Sequence, residues 1–180
     1  MIKKWKTLGT EYVYKSKRMK IREERLLLPD GKEAKYEIVE YPNFAGIIAL
    51  TKENRIVFVK QYRPAVKEVT IEAPAGFIDK GEKPEEAALR ELEEETGYRA
   101  GKLQKLAVYH SLVGRSNSMT HVFLATQLER SKPNPDEHEF LEVVEIDARE
   151  ALHMVEKGKI KTAPSVAGIY GIFARGLTRQ

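Results

Sequence analysis

One stretch constrains this chain more than any other: Gly76–Tyr98, GFIDKGEKPEEAALRELEEETGY. Pro84 suits the first turn of a helix, where its missing N–H costs nothing, and Gly97 suits the left-handed position just past the end. Between them the spacing predicts a helix over Glu85–Thr96. On a wheel of about 100° per residue with Ala88 at the origin, Leu92, Thr96 and Leu89 fall at roughly 40°, 80° and 100° and predict the core face. Glu91, Glu95 and Glu94 fall at roughly 300°, 340° and 240°, so three carboxylates share one flank, while Glu93 at roughly 140° points away.

Like charges one helical turn apart destabilise by about 0.2–0.5 kcal/mol per pair. At the edge of a core, desolvation makes the crowding worse. A hard divalent cation is the simplest compensation. Mg2+ takes a few carboxylates, keeps waters and bridges to substrate phosphates, and Mn2+ is a possible substitute. Arg90 can brace one carboxylate but not neutralise three. Read alone, such an acidic run is also a common solvated helix face. The loop Ala73–Pro84 in front of it shifts the balance, because Gly76 lets backbone approach a ligand closely and a loop carbonyl could complete a metal shell.

Composition narrows the alternatives. A chain of 180 residues, 42% hydrophobic and 32% charged, suits one domain or one domain with a small appendage. With no cysteine, disulfides, thiol nucleophiles and thiolate zinc sites are excluded, and a cytoplasmic setting is expected. The four histidines, at 110, 121, 138 and 153, form no HExxH. No apolar run reaches signal-peptide or membrane-spanning length. Net charge is uneven: +6 over residues 1–35, −7 over 36–156 and +5 over 157–180. Basic flanks around an acidic middle suit an anionic ligand held through a cation, although solvated surface accounts for any one charged stretch. No stretch interleaves Arg or Lys with aromatics, so nucleic acid is not an expected partner. Gly76-x4-Gly81 is followed by Glu82-Lys83 rather than Lys-Ser/Thr, so it is not a phosphate-binding loop. GxGxxG and GxSxG are absent from the sequence.

Trp5–Tyr14, Lys17–Leu28 and Glu33–Tyr41 read as strands of a small antiparallel unit, with a turn at Pro29-Asp30-Gly31. Such a unit has too few large apolar residues to fold alone and needs the remaining chain or a second copy. Pro42-Asn43 marks a boundary, giving units 1–42 and 43–180. Beyond it, strands are expected at Phe44–Leu50, Arg55–Gln61, Val69–Glu72, Leu103–His110, Met119–Leu128 and Phe140–Ile146. Ser131–His138 reads as a polar loop, and helices over Ala148–Lys157 and Ser165–Ala174 close a mixed α/β pattern.

Gly76, Glu82, Arg90-Glu91-Leu92 and Glu94-Glu95-x-Gly97 fit the Nudix box, GX5EX7REUXEEXGU, at full spacing, with Tyr98 where an aliphatic residue is usual. The chain therefore resembles the Nudix hydrolase family. Gln61-Tyr62-Arg63-Pro64, Glu72-Ala73-Pro74-Ala75-Gly76 and the N-terminal strands are similar to its ADP-ribose pyrophosphatase branch. The resemblance implies an α/β/α sandwich with a small N-terminal antiparallel β unit that helps build a swapped homodimer. It implies Mg2+-dependent hydrolysis of a nucleoside diphosphate linked to another moiety. Carried over, Glu91, Glu95 and the Ala75 carbonyl would hold metal, with Glu94 a further ligand or supporting group. Glu82 and Arg90 would orient helix and loop, and Gly97 would end the helix.

In the same branch a downstream loop glutamate serves as base or metal ligand. Asp136–Val143 resembles that loop, with Glu139 at the matching position and Glu137 the alternative. Arg63 could pair with phosphate or ribose, or be an ordinary strand-end ion pair. Gly76 and Phe77 fall among the substrate-binding positions, and Tyr36-Glu37 resembles an aromatic–Glu pair that stacks on and hydrogen-bonds adenine. One departure bears on the substrate. Ser111-Leu112-Val113-Gly114-Arg115-Ser116 stands where ADP-ribose enzymes usually carry Ser-Pro-Gly, with Val113 in place of the proline. The leading expectation is cleavage of ADP-ribose to AMP and ribose 5-phosphate. The alternatives are another nucleoside diphosphate sugar such as GDP-mannose, or a non-catalytic ADP-ribose sensor, which the complete set of box carboxylates disfavours.

Overall fold

The structure, a computed structural model, describes residues 2–134 and 140–178. The chain divides into two units, one of residues 1–43 with 110–119 and one of residues 44–109 with 120–180.

In the first unit, β1 (Lys6–Lys15), β2 (Lys20–Leu27) and β3 (Glu33–Glu40) form an antiparallel sheet in that order. Gly31, at φ 85°, makes the β2–β3 turn, where the Leu28 N–H donates to the Lys32 carbonyl at 2.8 Å. Leu26 is the one buried apolar side chain among the described residues of this unit, while Trp5, Tyr12, Val13 and Tyr14 stay exposed. Such a sheet has little core of its own. Residues 110–119 belong here because they run beside β3. The Val39 N–H donates to the Arg115 carbonyl at 2.7 Å, and Val39 and Ser116 form a parallel bridge.

The second unit is built on a seven-stranded mixed sheet. Its main path runs β10 (Glu142–Asp147), β5 (Arg55–Arg63), β4 (Phe44–Leu50), β9 (Thr120–Arg130), β8 (Tyr98–Tyr109). The short strands β6 (Glu68–Glu72) and β7 (Ala75–Phe77) pair with β5 and β4. Only the β4–β9 pairing is parallel. The two-residue period of β4 decides the layering. Ala45, Ile47 and Ala49 face α1 (Pro84–Thr96) through Ala87, Ala88 and Leu92, with Val57 and Phe123 beside them. Ile48 and Leu50 face the opposite layer of α2 (Ala148–Glu156) and α3 (Ala163–Ala174), through Ala148, Ala151, Ile169 and Ile172. This is the expected α/β/α sandwich, in which β4, apolar on both faces, is the central buried strand. Among the described residues no helix is long and apolar enough to cross a membrane.

Among the differences from the sequence reading, two bear on the site. Residues 75–77, expected in a loop, form β7 by pairing Phe44 with Phe77, Ala45 with Gly76 and Gly46 with Ala75. Strand β8 starts at Tyr98, immediately after the helix, rather than at Leu103. Gly97, at φ 67° and ψ 27°, turns the chain there and donates its N–H to the Glu93 carbonyl at 2.8 Å.

Candidate active site

The carboxylate helix turns a different face to the core than its leucines suggested. Its buried residues are Ala87, Ala88, Leu92, Glu95 and Thr96, whereas Leu89 is 39% exposed and leaves the expected core set. On the same wheel the buried arc centres at roughly 350°, within about 10° of Glu95. Glu95 is thus the middle of the apolar face rather than its edge, and it is 4% exposed. Burying a carboxylate there is costly unless it meets donors or a cation. Its Oε2 accepts the Ala75 N–H at 3.2 Å.

Strand β7 explains why the glycine precedes the helix. Pairing to β4 presses Gly76 against α1, and a Cβ on Gly76 would coincide with the Glu91 carboxylate. Only glycine leaves that carboxylate its place beside the strand. The Phe77 ring packs edge-on against Phe44 at 4.8 Å, and its carbonyl accepts from Arg90 Nη2 at 3.1 Å.

Arg90 spans more acids than expected. Its Nε and Nη2 grip Glu82 at 2.9 and 3.0 Å, while Nη1 reaches Glu91 at 2.8 Å and Glu94 at 3.0 Å. The guanidinium therefore ties the loop before the helix, strand β7 and two helix carboxylates together. Hydrogen bonds to Glu82 lead in raising the Arg90 pKa, and the same bonds hold Glu82 below the usual carboxylate range. The Asp79 N–H also donates to Glu82, at 2.9 Å.

Arg63 is committed elsewhere. Its Nε and Nη2 form a fork onto Glu72 at 2.9 and 2.8 Å, and Thr70 Oγ1 donates to the same carboxylate. Glu72 is 5% exposed, so this pair is no ordinary surface contact. Burial pushes the Glu72 carboxyl up, but the Arg63 and Thr70 bonds outweigh it and leave it lowered. In the sequence Glu72 stands only as the first residue of Glu72-Ala73-Pro74-Ala75-Gly76. Its signal was a lone acid closing an apolar-edged strand beside Arg63.

Tyr36 and Glu37 lie in the first unit, on β3, and Arg115 contacts both. Glu139, with its alternative Glu137, lies outside the described residues. Among the described residues no three acidic or histidine side chains stand together as a ready-made metal cage. The acids that α1 sets against β7, Glu91 beside Gly76 and Glu95 on the Ala75 N–H, carry hard oxygens. They fit a hard divalent ion that completes its shell with water and phosphate.

The model of the NUDIX domain matches residues 41–166. The chain belongs to the Nudix family. The model of the nucleoside diphosphate sugar hydrolase N-terminal domain matches residues 5–39 of this Nudix chain. The chain is 40% identical to the ADP-ribose pyrophosphatase of Bacillus subtilis (strain 168), over 91% of this chain and 90% of that protein. It is 35% identical to the methanol dehydrogenase activator of Bacillus methanolicus, over the same shares of 91% and 90%. A crystal structure of an ADP compounds hydrolase superposes with a TM-score of 0.87, covering 100% of this chain and 99% of that one at 22% identity, a likeness of fold.

Proposed function

We propose that this Nudix chain hydrolyses the pyrophosphate bond of ADP-ribose to AMP and ribose 5-phosphate, with Mg2+ and as a homodimer. The observation that carries the reading is Glu95. A carboxylate sits at the centre of a helix's buried face, with Glu91 one turn before it and a glycine strand pressed against both. A buried carboxylate at that place supports a chemical use. The names of the curated relatives support the same substrate class.

Glu91, Glu95 and the Ala75 carbonyl would hold the ion, with Glu94 beside them. When bound, it neutralises diphosphate charge and makes water a better nucleophile. Arg90 keeps Glu91 and Glu94 oriented, and Glu82 keeps Arg90 oriented. In the hydrolysis a water oxygen bonds to one phosphorus, the bridging P–O bond breaks, and the water's proton passes to a carboxylate. Glu139 is assigned that proton, with Glu137 the alternative. Gly76 and Phe77 line the substrate side of β7. Arg63, held flat by Glu72, offers an oriented cation to phosphate or ribose. The base falls to Tyr36 and Glu37.

The division at Pro42-Asn43 is read as a dimerisation unit followed by the hydrolase domain. The exposed aromatics of β1 and the near-absence of a core in that unit support the homodimer. The cysteine-free composition supports a cytoplasmic setting, and neither nucleic acid nor membrane enters the reading. A second reading, another nucleoside diphosphate sugar such as GDP-mannose, is favoured by one observation: Val113 stands in the Ser111–Ser116 stretch in place of the branch's proline. A panel of ADP-ribose, GDP-mannose and other nucleoside diphosphate sugars with Mg2+, scored by kcat/KM and product identity, decides between them. Absence of hydrolysis across the whole panel would overturn both.

A further inference from the structure

The Ser111–Ser116 stretch folds onto the strand that carries Tyr36 and Glu37. The Arg115 and Ser116 N–H groups both donate to the Leu112 carbonyl, at 2.9 and 2.8 Å, closing a tight turn. Val113, at the place of the usual proline, is 80% exposed at the tip. The side chain that reaches β3 is Arg115. Its guanidinium lies over the Tyr36 ring, 4.6 Å from the centroid, and its Nη1 donates to Glu37 Oε2 at 2.9 Å. The Tyr36 hydroxyl donates to the Gly114 carbonyl at 2.5 Å, and Trp5 meets the ring edge-on at 6.2 Å.

Alternation along a strand sends Tyr36 and Glu37 to opposite faces. One guanidinium nevertheless contacts both, lying over the ring while its Nη1 reaches the acid. An exposed ion pair of this kind adds little to stability. What the arrangement does control is where the ring and the carboxylate stand. Glu37 ionised is an acceptor only, so it pairs with a base that presents an exocyclic amino group and repels one that presents a carbonyl there.

We propose that Arg115 is a positioning residue for the base, clamping Tyr36 and Glu37 so that the site prefers adenine over a 6-oxo purine. The proposal rests on the hydrolase reading above and on its assignment of the base to β3.

The test measures kcat and KM with Mg2+ for ADP-ribose and for its hypoxanthine counterpart, in the wild type, Arg115→Ala, Arg115→Gln and Arg115→Lys. The two purines differ at the 6-position, amino against oxo. Arg115→Ala should raise KM for ADP-ribose about tenfold, the size of one charge-assisted hydrogen bond lost. Because the base is remote from the bond that breaks, kcat should stay within about twofold. The preference for adenine over hypoxanthine should shrink by about tenfold, since the discriminating acceptor is no longer held. Arg115→Gln keeps length without charge and carries the same expectation should the alanine variant fail to fold. Arg115→Lys should recover part of the preference through the Glu37 contact alone. An unchanged KM and preference in Arg115→Ala, or an equal fall in kcat on both substrates, would overturn the proposal. So would a wild type that cleaves both purines equally, with the hydrolase reading left standing. A wild type that cleaves neither would remove both.

Discussion

Gly76→Ala adds one methyl group where β7 meets the carboxylates of α1. The added Cβ would occupy the position of the Glu91 carboxylate. Strand β7 cannot retreat without breaking its pairing to β4, and α1 is fixed by Ala87, Ala88 and Leu92 in the core. Glu91 must therefore swing away and give up its 2.8 Å contact with Arg90. The atoms in the way are the end of a flexible side chain, so the change costs little beyond the lost contact, about 1 kcal/mol, which lowers Tm by roughly 2–4 °C for a chain of this size. The effect on turnover should be larger than the effect on stability. A liganding carboxylate displaced by about 1 Å reduces kcat on the order of 100-fold. Gly171→Ala in α3 is the control, because its Cβ would meet Leu106 at an ordinary 3.8 Å. That change should be neutral or stabilise by about 0.5–1 kcal/mol, as for glycine in a helix interior. Differential scanning fluorimetry and steady-state kinetics read both quantities. A Gly76→Ala enzyme with full turnover and an unchanged Mg2+ requirement would refute the placement of Glu91.

Three further outcomes follow from the same geometry. Glu139→Gln should slow turnover more than Glu137→Gln in single-turnover assays, and the reverse ranking would move the proton acceptor to Glu137. Glu72 and Glu82 both have lowered folded pKa values, so each contributes stability that is present above the ordinary Glu value of about 4.3 and lost as pH falls through the folded value. Acid unfolding monitored by circular dichroism should accordingly be less steep in Glu72→Gln than in the wild type, and identical profiles would count against the Arg63–Glu72 linkage. Light scattering on the gel-filtered protein should give a dimer mass, and a monomer at micromolar concentration would contradict the reading of the β1 face.

How much of this was legible in the sequence depends on what each residue had to encode. The sandwich was legible because β4 carries apolar side chains in both registers, Ala45, Ile47 and Ala49 on one face and Ile48 and Leu50 on the other. The ends of α1 were legible because Pro84 and Gly97 are positional signals with one physical meaning. Its orientation was not. A wheel weighted by hydrophobicity pulls Leu89 inward, whereas the small residues Ala87 and Ala88 are what let the helix approach the sheet, and they carry Glu95 in with them. Strand β7 was illegible for a related reason: three residues rich in glycine and alanine have no period, and only the partner β4 makes them a strand. The reach of Arg90 was underestimated because Glu82 lies in a loop whose path no local pattern predicts. For Arg63 the sequence leaves two partners open, substrate or a strand-end acid. Its pairing with Glu72, nine residues on, appears only once β5 and β6 are aligned as a hairpin. The return of residues 110–119 to β3 likewise depends on contacts about 78 positions apart in sequence.

On the proposed reading, Glu91 and Glu95 of α1 hold a divalent ion. Mn2+ binding followed by electron paramagnetic resonance, in the presence of a non-cleavable ADP-ribose analogue, tests it without relying on turnover. The wild type should bind Mn2+ saturably, Mg2+ should compete, and Glu95→Gln should weaken binding by at least about tenfold. Saturable binding left unchanged by Glu95→Gln, or no saturable binding at all, would contradict it.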